Sequence, residues 1–143
     1  MSESSAPVPT AAVITVSYGS GEALEVFLSS LREFHGGEVP VVVVDNKPDH
    51  ESVEALAARF GARYLPLPEN PGYGAGMNAG VRLLERESRG GRGCAGEREG
   101  AGQGSPLPDA YFFCNPDVRF VEPAVGALAA SLLGDPRAGS IGP

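Results

Sequence analysis

Apolar residues along the chain fall into four short runs, and each run is typical of a strand buried inside a sheet. The first run reads AAVITVS, the second VPVVVV and the fourth AYFFC, whereas the third is shorter and more polar. These runs predict strands at Ala11–Ser17, Val39–Val44, Arg63–Leu67 and Ala110–Cys114.

Between and after these runs, apolar residues recur every three or four positions, which is the spacing of one face of an amphipathic helix. The first helix is predicted to begin after Ser20, a residue that can cap it, and to end at Gly36. The other helices are predicted at about 49–60, 76–87 and 123–134. Residues 138–143 resemble the approach to a fifth strand.

This alternation of strands and helices predicts an α/β fold: a Rossmann-like, mostly parallel sheet with helices on both faces. Ligands bind such sheets beyond the carboxyl ends of the strands, at the point where the strand order reverses. We expect that reversal between the first and fourth strands. Polar clusters follow three of the predicted strands, at Tyr18–Ser20, Asp45-Asn46 and Asn115–Asp117.

Two segments do not fit the alternation. Residues 1–10 contain no basic stretch followed by a long apolar one, so they predict a disordered lead and not a signal peptide. Residues 88–108 include seven glycines between Gly90 and Gly104, mixed with Arg and Glu, and they predict a flexible surface insertion. The domain itself is predicted at 11–143.

Composition narrows the functional classes. The net charge of −7 over 143 residues argues against a nucleic-acid-binding protein, which usually carries a basic excess. The two cysteines, Cys94 and Cys114, do not suggest a disulfide framework, and a reducing cytoplasm fits them better. No apolar run approaches the length of a transmembrane helix.

Three polar motifs are candidates for chemistry. Asp45 follows four valines, and we expect its carboxylate to point out of the core and accept hydrogen bonds from a base or a ribose; the alternative is a turn residue. The stretch Asn70–Gly80 has G-x-G-x-G spacing after the third strand, which disfavours a dinucleotide fingerprint. Its glycines would let the backbone approach a ligand, or form a plain turn. Asp117 could hold a divalent cation, or complete a simple Asn-Pro-Asp turn.

Taken in order, the segments VITVSYGS, VVVVDN, ENPGYGAGMNAGV and FFCNPDV resemble the family 2 glycosyltransferases, in particular their rhamnosyltransferase-like branch. The resemblance covers about residues 11–143 without the insertion. It implies a GT-A fold and inverting transfer of a sugar, with rhamnose as a candidate, from a nucleotide-diphosphate donor linked to dTDP or UDP. A saccharide or a lipid-linked molecule would be the acceptor. The resemblance also implies a role in cell-wall polysaccharide biosynthesis.

The same resemblance implies roles for individual residues. Asp117 would bind Mg²⁺ or Mn²⁺ at the diphosphate, and Asn115 matches the other end of the D-x-D motif of the family. The residues implied in donor binding are Tyr18, Asp45, Asn46, Asn70, Gly72, Gly74, Asn78, Asn115 and Asp117. The resemblance further implies a cytoplasmic protein without a transmembrane segment, and it is compatible with peripheral association at the inner face of the membrane.

Three departures from the family pattern stand out. Asn115 replaces the first Asp of D-x-D, Gly19 replaces the usual Asn of Y-N-S, and the catalytic base is expected beyond Pro143. The catalytic residue is therefore unknown from this sequence. A catalytically inactive nucleotide-sugar-binding fragment is an alternative. A nucleotidyltransferase is a weaker one, because Gly19-Ser20-Gly21 carries no basic residue.

Overall fold

The computed structural model describes residues 9–48, 51–90 and 105–142, which form four strands and four helices in strict alternation. The strands are β1 (Ala11–Ser17), β2 (Val41–Asp45), β3 (Arg63–Pro66) and β4 (Ala110–Cys114). The helices are α1 (Gly21–His35), α2 (Glu51–Arg59), α3 (Tyr73–Ser88) and α4 (Ala124–Gly134).

All four strands are parallel and lie in the order β3-β2-β1-β4. β1 is therefore internal, with Ser17 opposite Asp45 of β2 and Thr15 opposite Cys114 of β4. The strand order reverses between β1 and β4, as predicted, and the α/β class with a parallel sheet is confirmed.

The sheet buries apolar side chains on both faces, in two separate clusters. The first cluster joins alternate residues of β1 and β2 to α1, α2 and α4 around Phe27 and Phe120. The second cluster joins the other alternate residues to α3, through Met77 and Leu84. This alternation is the period-two geometry of a strand, and it confirms that helices cover both faces.

Two glycines let α3 approach the sheet more closely than a side chain would permit. A Cβ atom on Gly80 would lie 2.7 Å from Cγ2 of Ile14 and 3.3 Å from Cγ2 of Val44. A Cβ atom on Gly76 would lie 3.0 Å from Cγ2 of Val16. Both glycines are buried. Their absence of a side chain therefore serves helix–sheet packing, and the expectation that the whole Gly-rich stretch approaches a ligand is corrected for these two positions.

The element boundaries differ from the predicted ones in several places, including β2, α3 and the end of the described chain. β2 begins at Val41, because Pro40 has no N–H for the ladder and instead accepts a hydrogen bond from Val13 N–H (2.8 Å). α3 begins at Tyr73, three residues early, and includes glycines that the sequence pattern places in a loop. Residues 138–142 form no strand.

The predicted first helix cap is also wrong. Ser20 makes no side-chain capping bond to α1; its hydroxyl donates instead to the carbonyl oxygen of Tyr18 (3.4 Å). Local bonding within the loop after β1 therefore competes with the cap.

Most of the predicted lead and insertion lies outside the described residues, which begin at Pro9 and omit 91–104. Thr10, the last residue of the predicted lead, is held in place: its N–H and hydroxyl donate to Asp109 Oδ2 at 2.8 and 3.0 Å. These bonds lower the pKa of Asp109. They tie the start of β1 to the start of β4.

Candidate functional site at the carboxyl edge of the sheet

The carboxyl ends of β2, β1 and β4 lie side by side, so the polar residues that follow them share one edge of the sheet. Tyr18 follows β1, Asn46 follows β2, and Asn115 follows β4. α3 begins at this same edge, because it follows the parallel strand β3. The predicted convergence of these three strand ends is confirmed.

Asp45 lies inside this edge and not on its surface. Its side chain is 0% exposed, and its two carboxylate oxygens accept hydrogen bonds from Lys47 N–H and from the Tyr64 hydroxyl, both at 3.0 Å. Burial, followed by the bond to Asp45, raises the pKa of Tyr64 to about 12. The expectation that the carboxylate points out of the core is therefore corrected: β3 supplies a tyrosine that covers it. Its role in donor binding stays a prediction.

Asn46 connects the end of β2 to the Gly-rich loop. Its side-chain N–H donates to the carbonyl oxygen of Gly72 (3.3 Å), and its backbone N–H donates to the carbonyl oxygen of Ser17 (2.9 Å). Asn46 is 4% exposed, and its Oδ1 atom has no hydrogen-bond partner among the described residues. A buried acceptor without a partner is costly, and this one lies beneath the start of α3, 3.5 Å from where a Cβ atom of Gly76 would stand.

The Gly-rich loop turns sharply before α3. Asn70 has a φ of 39° and Gly72 has a φ of 94°, a conformation that favours glycine. Among the described residues, no side-chain cap is seen at the first turn of α3, where Gly74 is exposed and a Cβ atom added to it would meet nothing within 4 Å. Backbone N–H groups in such a first turn are free to bind an anion. Asn78 lies in the second turn and is exposed.

Asn115 and Asp117 form a tight turn after β4. The N–H of Val118 donates to the carbonyl oxygen of Asn115 (3.3 Å), and both Asn115 and Asp117 are exposed. Tyr73, the first residue of α3, lies close by: its pKa is raised by partial burial and then by electrostatic interaction with Cys114 and Asp117. The start of α3 is therefore brought next to the end of β4. Asn115 and Asp117 thus flank the gap between β1 and β4.

The residues at this turn fit a cation that is shared with a substrate. The described parts of the chain contain no group of three or more His, Cys, Asp or Glu side chains that could hold a metal ion by themselves. Mg²⁺, however, commonly uses one or two protein carboxylates and completes its shell with phosphate oxygens and waters. One exposed carboxylate at Asp117, with the amide oxygen of Asn115 nearby in sequence, suits that second arrangement.

Lys47 is a feature of this edge that the sequence motifs did not predict. It follows Asn46, and its ammonium nitrogen lies 5.5 Å from the ring centroid of Tyr18. Tyr18 is 59% exposed, so its aromatic ring lies at the surface, with the ammonium group of Lys47 over it. The position of Lys47 three residues after a predicted buried strand, as the only lysine of the chain, was the signal that could have identified it.

The amino-acid sequence matches the model of glycosyl transferase family 2 over residues 12–86. It is 31% identical over 132 residues to the N-acetylglucosaminyl-diphospho-decaprenol L-rhamnosyltransferase of Mycobacterium tuberculosis, in strains CDC 1551 / Oshkosh and ATCC 25618 / H37Rv. That alignment covers 92% of this chain, which spans 39% of the length of these relatives.

Solved structures show a similar fold. The crystal structure of S. aureus TarS 1-349 matches with a TM-score of 0.58 and 17% identity, over 87% of this chain and 32% of that one. A second crystal structure of S. aureus TarS matches with a TM-score of 0.51 and 17% identity, over 76% and 16%. The expected GT-A type of α/β fold is confirmed, and the family match covers more than half of the chain. The chain belongs to glycosyl transferase family 2.

Proposed function

We propose that this chain forms the donor-binding part of an inverting glycosyltransferase that uses a dTDP- or UDP-linked sugar, with rhamnose as the candidate sugar. A saccharide or a lipid-linked molecule is the proposed acceptor. The family supports sugar transfer, and the names of the two mycobacterial relatives support rhamnose and a polyprenyl-diphosphate-linked acceptor. Because the chain spans 39% of those relatives, the complete reaction is part of the proposal.

One observation carries the proposal: the strand order reverses between β1 and β4, and the start of α3 borders the crevice that this reversal creates. Parallel α/β sheets bind nucleotides at such a crevice. The residues at this edge of the sheet include an exposed aromatic ring at Tyr18, an exposed carboxylate at Asp117 and helix N–H groups without a cap from Gly72. These groups suit a base, a metal-bound diphosphate and a phosphate oxygen, in that order.

The proposed roles follow from this arrangement. The nucleoside lies over Tyr18 and the Asp45-Asn46 corner. The diphosphate lies between Asp117 and the first turn of α3, near Gly72 and Gly74. Asp117, helped by Asn115, would hold Mg²⁺ or Mn²⁺, and the cation would supply positive charge for the leaving diphosphate. Asn70 and Asn78 border the donor through their place in the Gly-rich segment.

The proposed setting is the cytoplasm, at the inner face of the membrane where the acceptor is lipid-linked, and the proposed process is cell-wall polysaccharide synthesis. No described helix is both long and apolar enough to cross a membrane. Peripheral association is the form of membrane contact that we propose.

Isothermal titration calorimetry with dTDP-rhamnose or UDP, in Mg²⁺ or in EDTA, tests the donor site. We expect the wild type to bind more tightly in Mg²⁺. Asp117→Ala removes the carboxylate that holds the cation, so we expect its affinity in Mg²⁺ to fall about 10-fold or more, to the level measured in EDTA. Asp135→Ala, which removes an exposed aspartate after α4, serves as the charge-matched control and should bind like wild type. Equal binding by wild type and Asp117→Ala in Mg²⁺ would contradict the metal assignment.

A further inference from the structure

The side chain of Lys47 folds back over the loop after β1. Its ammonium nitrogen lies 5.5 Å from the Tyr18 ring centroid, within the range of a cation–π interaction. Its Cδ and Nζ atoms lie 3.6 and 4.0 Å from the point where a Cβ atom of Gly19 would stand. Lys47 is half-buried, although lysine side chains usually extend into water. The cation is therefore held at the surface of the site.

Gly19 makes room for this arrangement. It has a φ of 65°, a conformation that L-residues with side chains rarely adopt, and the Lys47 stem occupies the space beside it. A side chain longer than one carbon at position 19 would compete with Lys47 for that space. The polar group at this corner of the site is thus supplied by the end of β2 and not by the end of β1.

The position of Lys47 in the sheet identifies the part of the donor that it would meet. β2 and β4 are separated by β1, so their ends lie about 10 Å apart. In the proposed function, on which this inference rests, the diphosphate lies at Asp117 after β4. A donor that extends from there across β1 brings its nucleobase, and not its phosphates, to Tyr18 and Lys47.

We propose that Lys47 is a specificity-determining residue that selects nucleobases carrying a carbonyl oxygen at the edge facing it, as uracil and thymine do. An ammonium group has three donors and no acceptor. It can bond to the O4 atom of uracil or thymine, whereas the N4 amino group of cytosine presents a donor to it. The Tyr18 ring supplies a stacking surface that accepts any base, so the discrimination between bases falls to Lys47.

The test compares UDP, CDP and inorganic pyrophosphate as ligands of the full chain in Mg²⁺, by calorimetry. We expect the wild type to bind UDP about 10-fold or more tightly than CDP. Lys47→Met keeps the length of the stem and removes the charge, so we expect it to lose that preference through weaker UDP binding, with pyrophosphate binding unchanged. Arg82→Met removes one exposed positive charge from α3 and should retain the preference. Circular dichroism checks that both variants are folded.

The other possible outcomes of this titration would contradict the inference, the proposed function or both. A parallel loss of affinity for all three ligands in Lys47→Met would overturn the inference, because Lys47 would then bind phosphate. An unchanged preference for UDP would overturn it as well. A wild type that binds pyrophosphate but not UDP would refute the proposed function and the inference together, whereas tight UDP binding without a preference over CDP refutes only the inference.

A second measurement uses the single lysine directly. Acetylation of Lys47 by an amine-reactive reagent can be followed by mass spectrometry, since the chain has no other lysine side chain. We expect saturating UDP to slow this acetylation several-fold, and pyrophosphate to leave it unchanged. Equal protection by pyrophosphate would place the ammonium at the phosphates and contradict the inference.

Discussion

The two faces of the sheet are covered by different means. On the face toward α1, α2 and α4, large side chains fill the space: Phe27 is fully buried and packs against Phe120, with ring centroids 5.9 Å apart. On the opposite face, α3 lies directly against β1 and β2, because Gly76 and Gly80 present no side chain. The first face, called the aromatic face below, relies on interlocking side chains. The second, called the glycine-packed face, relies on close approach of the backbone.

This difference bears on the site. α3 is the helix whose first turn borders the crevice, and its position is fixed by contacts of glycine with Val16 and Ile14. A helix held at backbone distance has little freedom to shift, because any added atom must displace a close-packed neighbour. The glycine-packed face thus places the functional helix, whereas the aromatic face contributes most of the buried apolar volume.

The largest effect is expected where the aromatic face is emptied. Phe27→Ala should reduce the free energy of unfolding by about 3–5 kcal/mol, because it leaves a cavity between the sheet and Phe120. Urea denaturation measures this loss. The neighbouring Val26 is 50% exposed, and Val26→Ala should change stability by less than about 0.5 kcal/mol. Similar losses for both variants would show that α1 does not pack as described.

A smaller effect is expected where an atom is added to the glycine-packed face. Gly80→Ala places a methyl group 2.7 Å from Ile14, so it should destabilise the fold by about 1–3 kcal/mol despite the better helix propensity of alanine. Gly74→Ala in the same helix meets nothing within 4 Å and should be neutral or stabilising by up to about 1 kcal/mol. Thermal or urea unfolding distinguishes the two.

A double variant sharpens that result. Adding Ile14→Ala to Gly80→Ala removes the clashing atoms. The double variant should therefore lose less stability than the sum of the losses of the two single variants, by about 0.5 kcal/mol or more. Full additivity would mean that Gly80 and Ile14 are not in contact.

The smallest effect is expected at the end of the aromatic face, where Tyr64 covers Asp45. Tyr64→Phe removes one hydrogen bond from a buried carboxylate and should cost about 1–2 kcal/mol near neutral pH. Folding raises the pKa of Tyr64 from 10.0 to about 12. Its contribution is therefore complete below pH 10 and is lost as the pH rises toward 12, because only the unfolded state releases the proton readily.

Urea unfolding of wild type and Tyr64→Phe at about pH 8, 10 and 11.5 measures that loss, and the gap between the two proteins should narrow as the pH rises. Tyr18→Phe changes an exposed tyrosine and should leave stability within about 0.5 kcal/mol at every pH. A gap that widens with pH would contradict the hydrogen bond to Asp45.

The sequence was sufficient to predict the strands that consist of β-branched and aromatic residues. β1 and β4 have the predicted boundaries, because an unbroken apolar run leaves few other conformations. The strand order also followed, since parallel connections obey few topologies. α3 was predicted to begin too late, because glycine is a poor helix former and its packing role depends on Ile14 and Val44, which are distant in sequence.

The candidate site was harder to predict from the sequence than the fold. The burial of Asp45 depends on Tyr64, which reaches it from the neighbouring strand, and no local pattern reveals such a partner. Lys47 was not predicted because Gly19, the residue that leaves space for its side chain, lies in another loop. Residues that act through a neighbour across the sheet are not visible to an argument based on spacing along one segment.

The hydrogen bonds between Thr10 and Asp109 have a consequence for the order of folding. The two residues are 99 positions apart, so pairing β1 with β4 closes by far the longest loop in the sheet, whereas β1, β2 and β3 follow one another closely. Closing a longer loop costs more chain entropy, and contacts between distant segments slow folding. We therefore expect β4 to dock last. The crevice between β1 and β4 would then arise only in that final step. A bound nucleotide should therefore slow unfolding, whereas nucleotide added during refolding should not accelerate the earlier folding phases.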